Sequence, residues 1–183
     1  MWAVNQLFDG LVELDSSLQV EPLIAESWQV LDSGRRYVFS LRDDVYWHKS
    51  EHFGKDSTRK VVAADFVYSI ERILNPKTAS PGKWVFDPIA PNGVSAIDEQ
   101  TLEIRLSHPF PPFLSMLAMQ YCNVVPREIV EHYGEDFRSN PIGCGPFKMA
   151  FWMENVALVY HRNEDFWQKD SNGDELPHLD AIK

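Results

Sequence analysis

Residues 140–147 read NPIGCGPF, with Cys144 between two glycines and just ahead of a proline. A cysteine presented on a tight turn is one way to build a nucleophile, and it then needs an imidazole nearby to form the thiolate. Six histidines are present, at 48, 52, 108, 132, 161 and 178, and none stands in a local signature with Cys144. The plainer expectation is a small side chain at a place where the backbone bends and bulk would clash.

Two further groupings invite metal chemistry. His48 and His52 are four apart, a spacing that suits a metal pair on a helix. The surrounding HKSEHFGKDSTRK has no helical apolar face and marks no third ligand, so a solvated loop is expected. Asp170, Asn172 and Asp174 fit the first three oxygen positions of a calcium loop. That loop also needs glycine at position 6 and glutamate at position 12. Glu175 and Ala181 stand there, so a polar turn is expected. No phosphate loop, dinucleotide fingerprint, serine-nucleophile elbow or paired-carboxylate signature appears, and no cofactor is called for.

Bulk properties narrow the classes. The 183 residues are 44% hydrophobic and 24% charged, enough for one domain or two small lobes with a packed core. The aromatic share, 13%, suits a core and also a cleft for small or peptide-like ligands. Net charge is −10, and basic clusters such as Arg59-Lys60 run to only two residues, so there is no electrostatic footprint for nucleic acid. No apolar run approaches 18 residues, and Met1 is followed by Trp2-Ala3-Val4-Asn5 without a basic leader region. Cys122 and Cys144 form no CxxC, and two unbridged thiols are expected in preference to a disulfide.

The elements that must position these residues can be read from periodicity. An apolar segment, Leu7, Phe8, Leu11, Val12 and Leu14, leads into a turn at Asp15-Ser16-Ser17. Trp28 and Val30, a turn at Asp32-Ser33-Gly34, then Tyr37, Phe39 and Leu41 at period two predict an antiparallel meander. Phe66, Val67, Ile70, Ile73 and Leu74 predict a helix, with Asp65 and Glu71 on its other side and Pro76 ending it. Val62 stands where a Ser or Thr cap is expected, while Asp65 meets the positive end of the helix dipole. A proline-rich loop, residues 77–93, precedes a strand–turn–strand with Leu102, Ile104 and Leu106 alternating. PPFLSMLAM and PREIVEHYG predict short helices, and residues 145–167 a hairpin turning at Glu154-Asn155. The sum is α+β: antiparallel strands with three or four short helices.

Four blocks in order resemble one family. They are LFDGLVELDSSLQVEPLIAESWQVLDSGRRYVFSLRDDVYWH, RKVVAADFVYSIERILNPKTASPG, NPIGCGPFKM and RNEDFWQKDSNGDELPHLDAI. Together they resemble the extracytoplasmic solute-binding proteins of ABC importers, in the oligopeptide, dipeptide and nickel class. Cys144 and Val62 depart from the usual Thr, and His178 from the usual Tyr. The resemblance implies a periplasmic-binding-protein-like fold of two lobes, of which residues 1–183 are most of the N-terminal lobe. The second lobe, the signal and the first strand then lie outside this chain.

The same resemblance implies function and site. The chain is expected to capture peptides or similar small solutes for ABC permease subunits, without catalysis, in the periplasm or at the cell surface, lipid-anchored in the full-length protein. Trp84 is expected against ligand, with Tyr121 and Asn123 in QYCNVV and Asn5 in the first segment. Cys144 belongs to a turn that returns backbone toward the cleft, where replacing Thr removes one hydroxyl. Trp28, Trp47, Trp152 and Trp167 are expected to be structural. The chain by itself is expected to bind ligand weakly and to self-associate through the surface the second lobe would cover. Two other functions compete: a surface interaction module, and a cysteine hydrolase using Cys144.

Overall fold

The computed structural model describes residues 3–183. Met1 and Trp2, the start of the stretch read for a leader, lie outside the described residues. In chain order the elements are α1 (Val4–Leu7), β1 (Val12–Leu14), β2 (Val20–Pro22), β3 (Ala25–Leu31), β4 (Arg36–Leu41), α2 (Ala63–Leu74), β5 (Ile89–Ala96), β6 (Thr101–Leu106), α3 (Phe113–Met116), α4 (Arg127–Tyr133), β7 (Phe147–Met153), β8 (Ala157–Arg162) and β9 (Ala181–Ile182), with short 3-10 turns between them. All strand pairs are antiparallel. The α+β expectation holds.

The chain divides into two compact units. Unit one is Met1–Asp9, Asp44–Val61 and Val125–Lys183, and unit two is Gly10–Asp43 and Val62–Val124.

Unit two is built on a four-stranded sheet in the order β3-β4-β6-β5. The period-two residues do what alternation requires: Tyr37, Phe39 and Leu41 are buried, with Phe39 opposite Leu102 and Tyr37 opposite Ile104. α2 covers β5 and β6 with Ala63, Phe66 and Ile70. Asp65 is not on the solvent side as its spacing suggested. It is 4% exposed, and its carboxylate accepts a hydrogen bond from the Val62 N–H at 3.0 Å. This is half of a capping box, because valine has no oxygen to return the bond. β5 also starts earlier than expected, at Ile89 inside the proline-rich stretch. A bulge between Ile89 and Val94 absorbs the irregularity, and Gly93 permits it: a Cβ there would meet the Arg105 carbonyl oxygen at 2.5 Å.

Unit one carries the β7-β8-β9 sheet. Its core joins Leu7 and Phe8 to Phe147 and Tyr160, with Val125, Phe137 and Ile182 packed around them. The two-residue β9 pairs with β8 and has no periodicity from which to be read. A bidentate Arg59–Glu128 pair, at 2.7 Å on both arms, ties residue 59 to α4. The guanidinium holds the Glu128 carboxyl below its ordinary range.

The Gly-Cys-Gly turn explains itself in unit one. The chain at Leu7 runs directly against it, and the Gly145 N–H donates to the Leu7 carbonyl at 2.9 Å. A Cβ on Gly143 would overlap the Leu7 carbonyl oxygen, and one on Gly145 would stand 2.7 Å from the Leu7 carbonyl carbon. Both glycines are therefore fixed by close backbone approach. Gly143→Ala is expected to lower stability by about 2–3 kcal/mol. A urea midpoint indistinguishable from wild type would remove this account of the turn.

Candidate functional site

Unit two holds three of the residues singled out from sequence. Trp84 sits on the 3-10 turn Lys83–Phe86. Its neighbours Val85 and Phe86 are fully buried and anchor the turn, while the Trp84 side chain is left 51% exposed. The turn rests on Tyr121: a Cβ on Gly82 would fall 2.5 Å from Tyr121 Cγ. Glycine at 82 thus lets the backbone lie flat on the Tyr121 ring, two residues before Trp84. The Gly82 N–H donates to Ser80 Oγ at 3.2 Å, and the Val85 N–H to the Gly82 carbonyl at 3.1 Å.

Tyr121 belongs to the 3-10 turn Gln120–Cys122. Cys122 fixes that turn from beneath, its N–H donating to the Met119 carbonyl at 2.8 Å and its thiol to the Met116 carbonyl at 3.4 Å. Burial pushes the Cys122 thiol up to about 12. Such a thiol is inert. Asn123 follows in extended conformation, and its Oδ1 stands 3.3 Å from where a Cβ on Gly10 would be. Gly82 and Gly10, close-approach positions next to these residues, are what sequence reading missed. Each sits beside an aromatic or amide that it did name.

Two open concavities of about 320 and 310 Å³ also lie on unit two. One is lined by Val30, Tyr37, Phe110 and Leu114 among others, the second by Glu71, Leu74, Ile89 and Val94 among others. Trp84, Tyr121 and Asn123 line neither.

Asn5 and Cys144 belong to unit one. Asn5 is exposed on α1. Cys144 is 1% exposed, and both cysteines are reduced and buried. His48 is built into the same turn. Its Nδ1 accepts from the Gly143 N–H at 3.3 Å, and its Nε2 lies 2.9 Å from the Gly145 carbonyl. The Nδ1 acceptor role fixes the proton on Nε2, which donates to Gly145. Its backbone N–H also donates to the Gly143 carbonyl at 2.7 Å. Both imidazole nitrogens are spent on backbone, so His48 has none left to serve as a base for Cys144. The solvated-loop expectation fails for this residue: His48 is 3% exposed.

The rest of the candidate chemistry resolves into local structure. Asp170 Oδ1 accepts from the N–H groups of Asn172 and Asp174, at 2.8 and 3.0 Å, so the calcium-like stretch is a turn closed on itself. Trp47 is 2% exposed, and the Arg59 guanidinium stands 5.9 Å from its ring centroid. Arg138 covers Trp152 in the same way at 5.1 Å. Among the described residues, no three His, Cys, Asp or Glu side chains converge to hold a metal, and no helix is long and apolar enough to cross a membrane.

Comparison with known proteins decides the family. The model for bacterial extracellular solute-binding proteins, family 5 Middle, matches residues 19–183. The chain belongs to this family. The probable deoxycholate-binding periplasmic protein YgiS of Escherichia coli K12 is 32% identical over 180 residues, covering 89% of this chain and 32% of that protein. The periplasmic oligopeptide-binding protein OppA of the same organism is 34% identical over 183 residues, with the same two coverages. Among solved structures, the A. tumefaciens R10 binding protein AgaA in complex with agropinic acid superimposes with a TM-score of 0.82 at 26% identity, covering 98% of this chain and 33% of that one. The chain spans about a third of the length of the curated relatives it matches. These relatives are binding proteins, not enzymes.

The His48 clamp has a pH signature. Burial is the main cause that lowers its imidazole from 6.5 to about 4; nearby Lys148 adds to this and the Gly145 hydrogen bond opposes it. Above pH 6.5 the ring is neutral in folded and unfolded chains alike, and the clamp contributes fully. As pH falls below 6.5 the unfolded chain takes up the proton first, and stability is lost until the folded ring also titrates near 4. The loss over that window is expected to be about 3 kcal/mol. Urea melts at pH 7, 5.5 and 4.5 measure it. His48→Gln is expected to be weaker at pH 7 and to flatten the slope; an unchanged slope in that variant removes His48 as its source.

Proposed function

We propose that this chain is part of the ligand-capturing body of an extracytoplasmic binding protein that hands peptides or similar small solutes to an ABC permease. Residues 1–183 form most of one lobe, and ligand is enclosed against a second lobe. The protein acts in the periplasm or at the cell surface, held there in its full-length form by a lipid anchor.

The observation that carries this reading is Trp84. A large aromatic half out of the protein, on a turn anchored by buried Val85 and Phe86 and seated on Tyr121, is a preformed platform. Small-ligand sites bury most of the ligand surface, and an exposed platform needs an opposing wall to do so. Family membership supplies the context, and relatives named for deoxycholate and for oligopeptides support a solute with substantial apolar surface. Chemistry at Cys144 is disfavoured by its burial and by the committed nitrogens of His48.

Native mass spectrometry on the protein extended to its natural C-terminus tests the reading. A co-purifying small molecule is expected. In that protein Trp84→Ala is expected to weaken solute binding about tenfold, or roughly 1.4 kcal/mol, with an unchanged melting temperature. Residues 1–183 alone are expected to bind the same solute weakly or not at all. An empty extended protein that also ignores a peptide library, or full affinity in the Trp84 variant, would count against the proposal.

A further inference from the structure

His52 and His132 come together in unit one, whereas the Trp84 platform belongs to unit two. His52 lies on the 3-10 turn Glu51–Phe53 and His132 on the last turn of α4. Their ring centroids are 3.9 Å apart with planes 32° from parallel. Tyr133 stands edge-on to both, at 5.4 and 4.7 Å, and its hydroxyl lies 3.2 Å from His52 Nε2. The scaffold beneath them is fixed: the His52 N–H is oriented toward Ser50 Oγ, and the Arg59–Glu128 fork secures α4 one turn before His132.

We propose that the His52–His132 pair binds a divalent transition cation, with Cu²⁺ preferred, and that Tyr133 is its positioning residue. Imidazole suits copper, nickel and zinc, and among first-row divalent ions nitrogen ligands favour copper. Two imidazoles sharing one ion, each with a bond of about 2.1 Å and meeting near a right angle, have centroids roughly 4–5 Å apart. The observed centroid separation is within about 1 Å of that value, and ligation opens the two rings from their 32° stack toward a right angle, the exposed His132 side chain swinging to do so. His132 is exposed and His52 half-buried, so an ion enters from solvent without unfolding anything. With Nε2 engaged by the Tyr133 hydroxyl, His52 offers Nδ1 to the ion. That is the usual division of labour in a ligating histidine, one nitrogen on the metal and the other on an orienting partner. Water fills the remaining positions, which makes this an open two-nitrogen site.

Titration of Cu²⁺ into the intact chain, read by calorimetry and by electron paramagnetic resonance, tests it. One equivalent is expected, with hyperfine structure from two nitrogens. His132→Ala and His52→Ala are each expected to lose one nitrogen and at least about tenfold in affinity; His161→Ala, a histidine of β8, is expected to change neither. Tyr133→Phe is expected to keep both nitrogens and weaken binding several-fold, which separates orientation from ligation. Circular dichroism confirms that each variant is folded, and His132→Gln serves where alanine disturbs α4. Wild-type affinity or an intact two-nitrogen signal in a folded His132 variant overturns the assignment, as does the absence of copper uptake by the wild-type chain.

Discussion

A single imidazole inserted into a glycine turn organises unit one. His48 reaches Gly143 and Gly145 through its two ring nitrogens and Gly143 again through its backbone. Asn163 adds a third donor, with its Nδ2 at 3.1 Å from the Gly145 carbonyl. Leu7 closes the other side. Four separate stretches of chain thus meet at three residues, and every polar contact among them goes to backbone. Hydrogen bonds of this kind contribute modestly when made and cost much more when one buried partner is removed. The turn therefore tolerates little change, and Cys144 is carried within it as a small buried side chain.

The contrast with unit two is one of means. There the order comes from alternation: Tyr37, Phe39, Leu102 and Ile104 fill one face of a four-stranded sheet, and Phe66 and Ile70 of α2 close over it. Apolar packing of this sort is non-directional, and it fixes a platform rather than a polar site. Trp84 and Tyr121 sit at the margin of that packing. They are anchored by the buried residues next to them in sequence, Val85, Phe86 and Cys122. In the proposed role, an aromatic surface held in this way constrains shape more than chemical identity. That fits a family whose relatives are named for ligands as different as a bile acid and an oligopeptide.

Periodicity made the strands β3, β4 and β6 and the helix α2 legible, because each repeats a burial pattern over several residues. It failed where one contact decides the outcome. Asp65 reads as a solvent-side residue by helical spacing, yet its carboxylate turns back onto the helix N-terminus. His48 reads as part of a polar loop, yet its partners lie 95 and 97 residues away in sequence. β9 is two residues long and exists only because β8 is there to receive it. Of the candidate site, Trp84, Tyr121 and Asn123 came from resemblance to a family. Their supports Gly82 and Gly10 carry no signal until the backbone is seen to pass close by.

The division of the chain also sets an order of events during synthesis. Unit two is complete in sequence at Val124, and its sheet and helix are assembled from contacts internal to that span. Unit one is interrupted twice. Its first segment must wait for Gly145, whose N–H donates to the Leu7 carbonyl, and for Tyr160, whose hydroxyl meets Ala3 across 157 residues of separation. Loop closure over such distances is slow compared with local pairing. A nascent chain that has emerged from the ribosome as far as Val124 would therefore carry a finished sheet while its amino-terminal apolar stretch, Leu7 and Phe8, is still without its core. That stretch is the part of the nascent protein most in need of a chaperone's shelter.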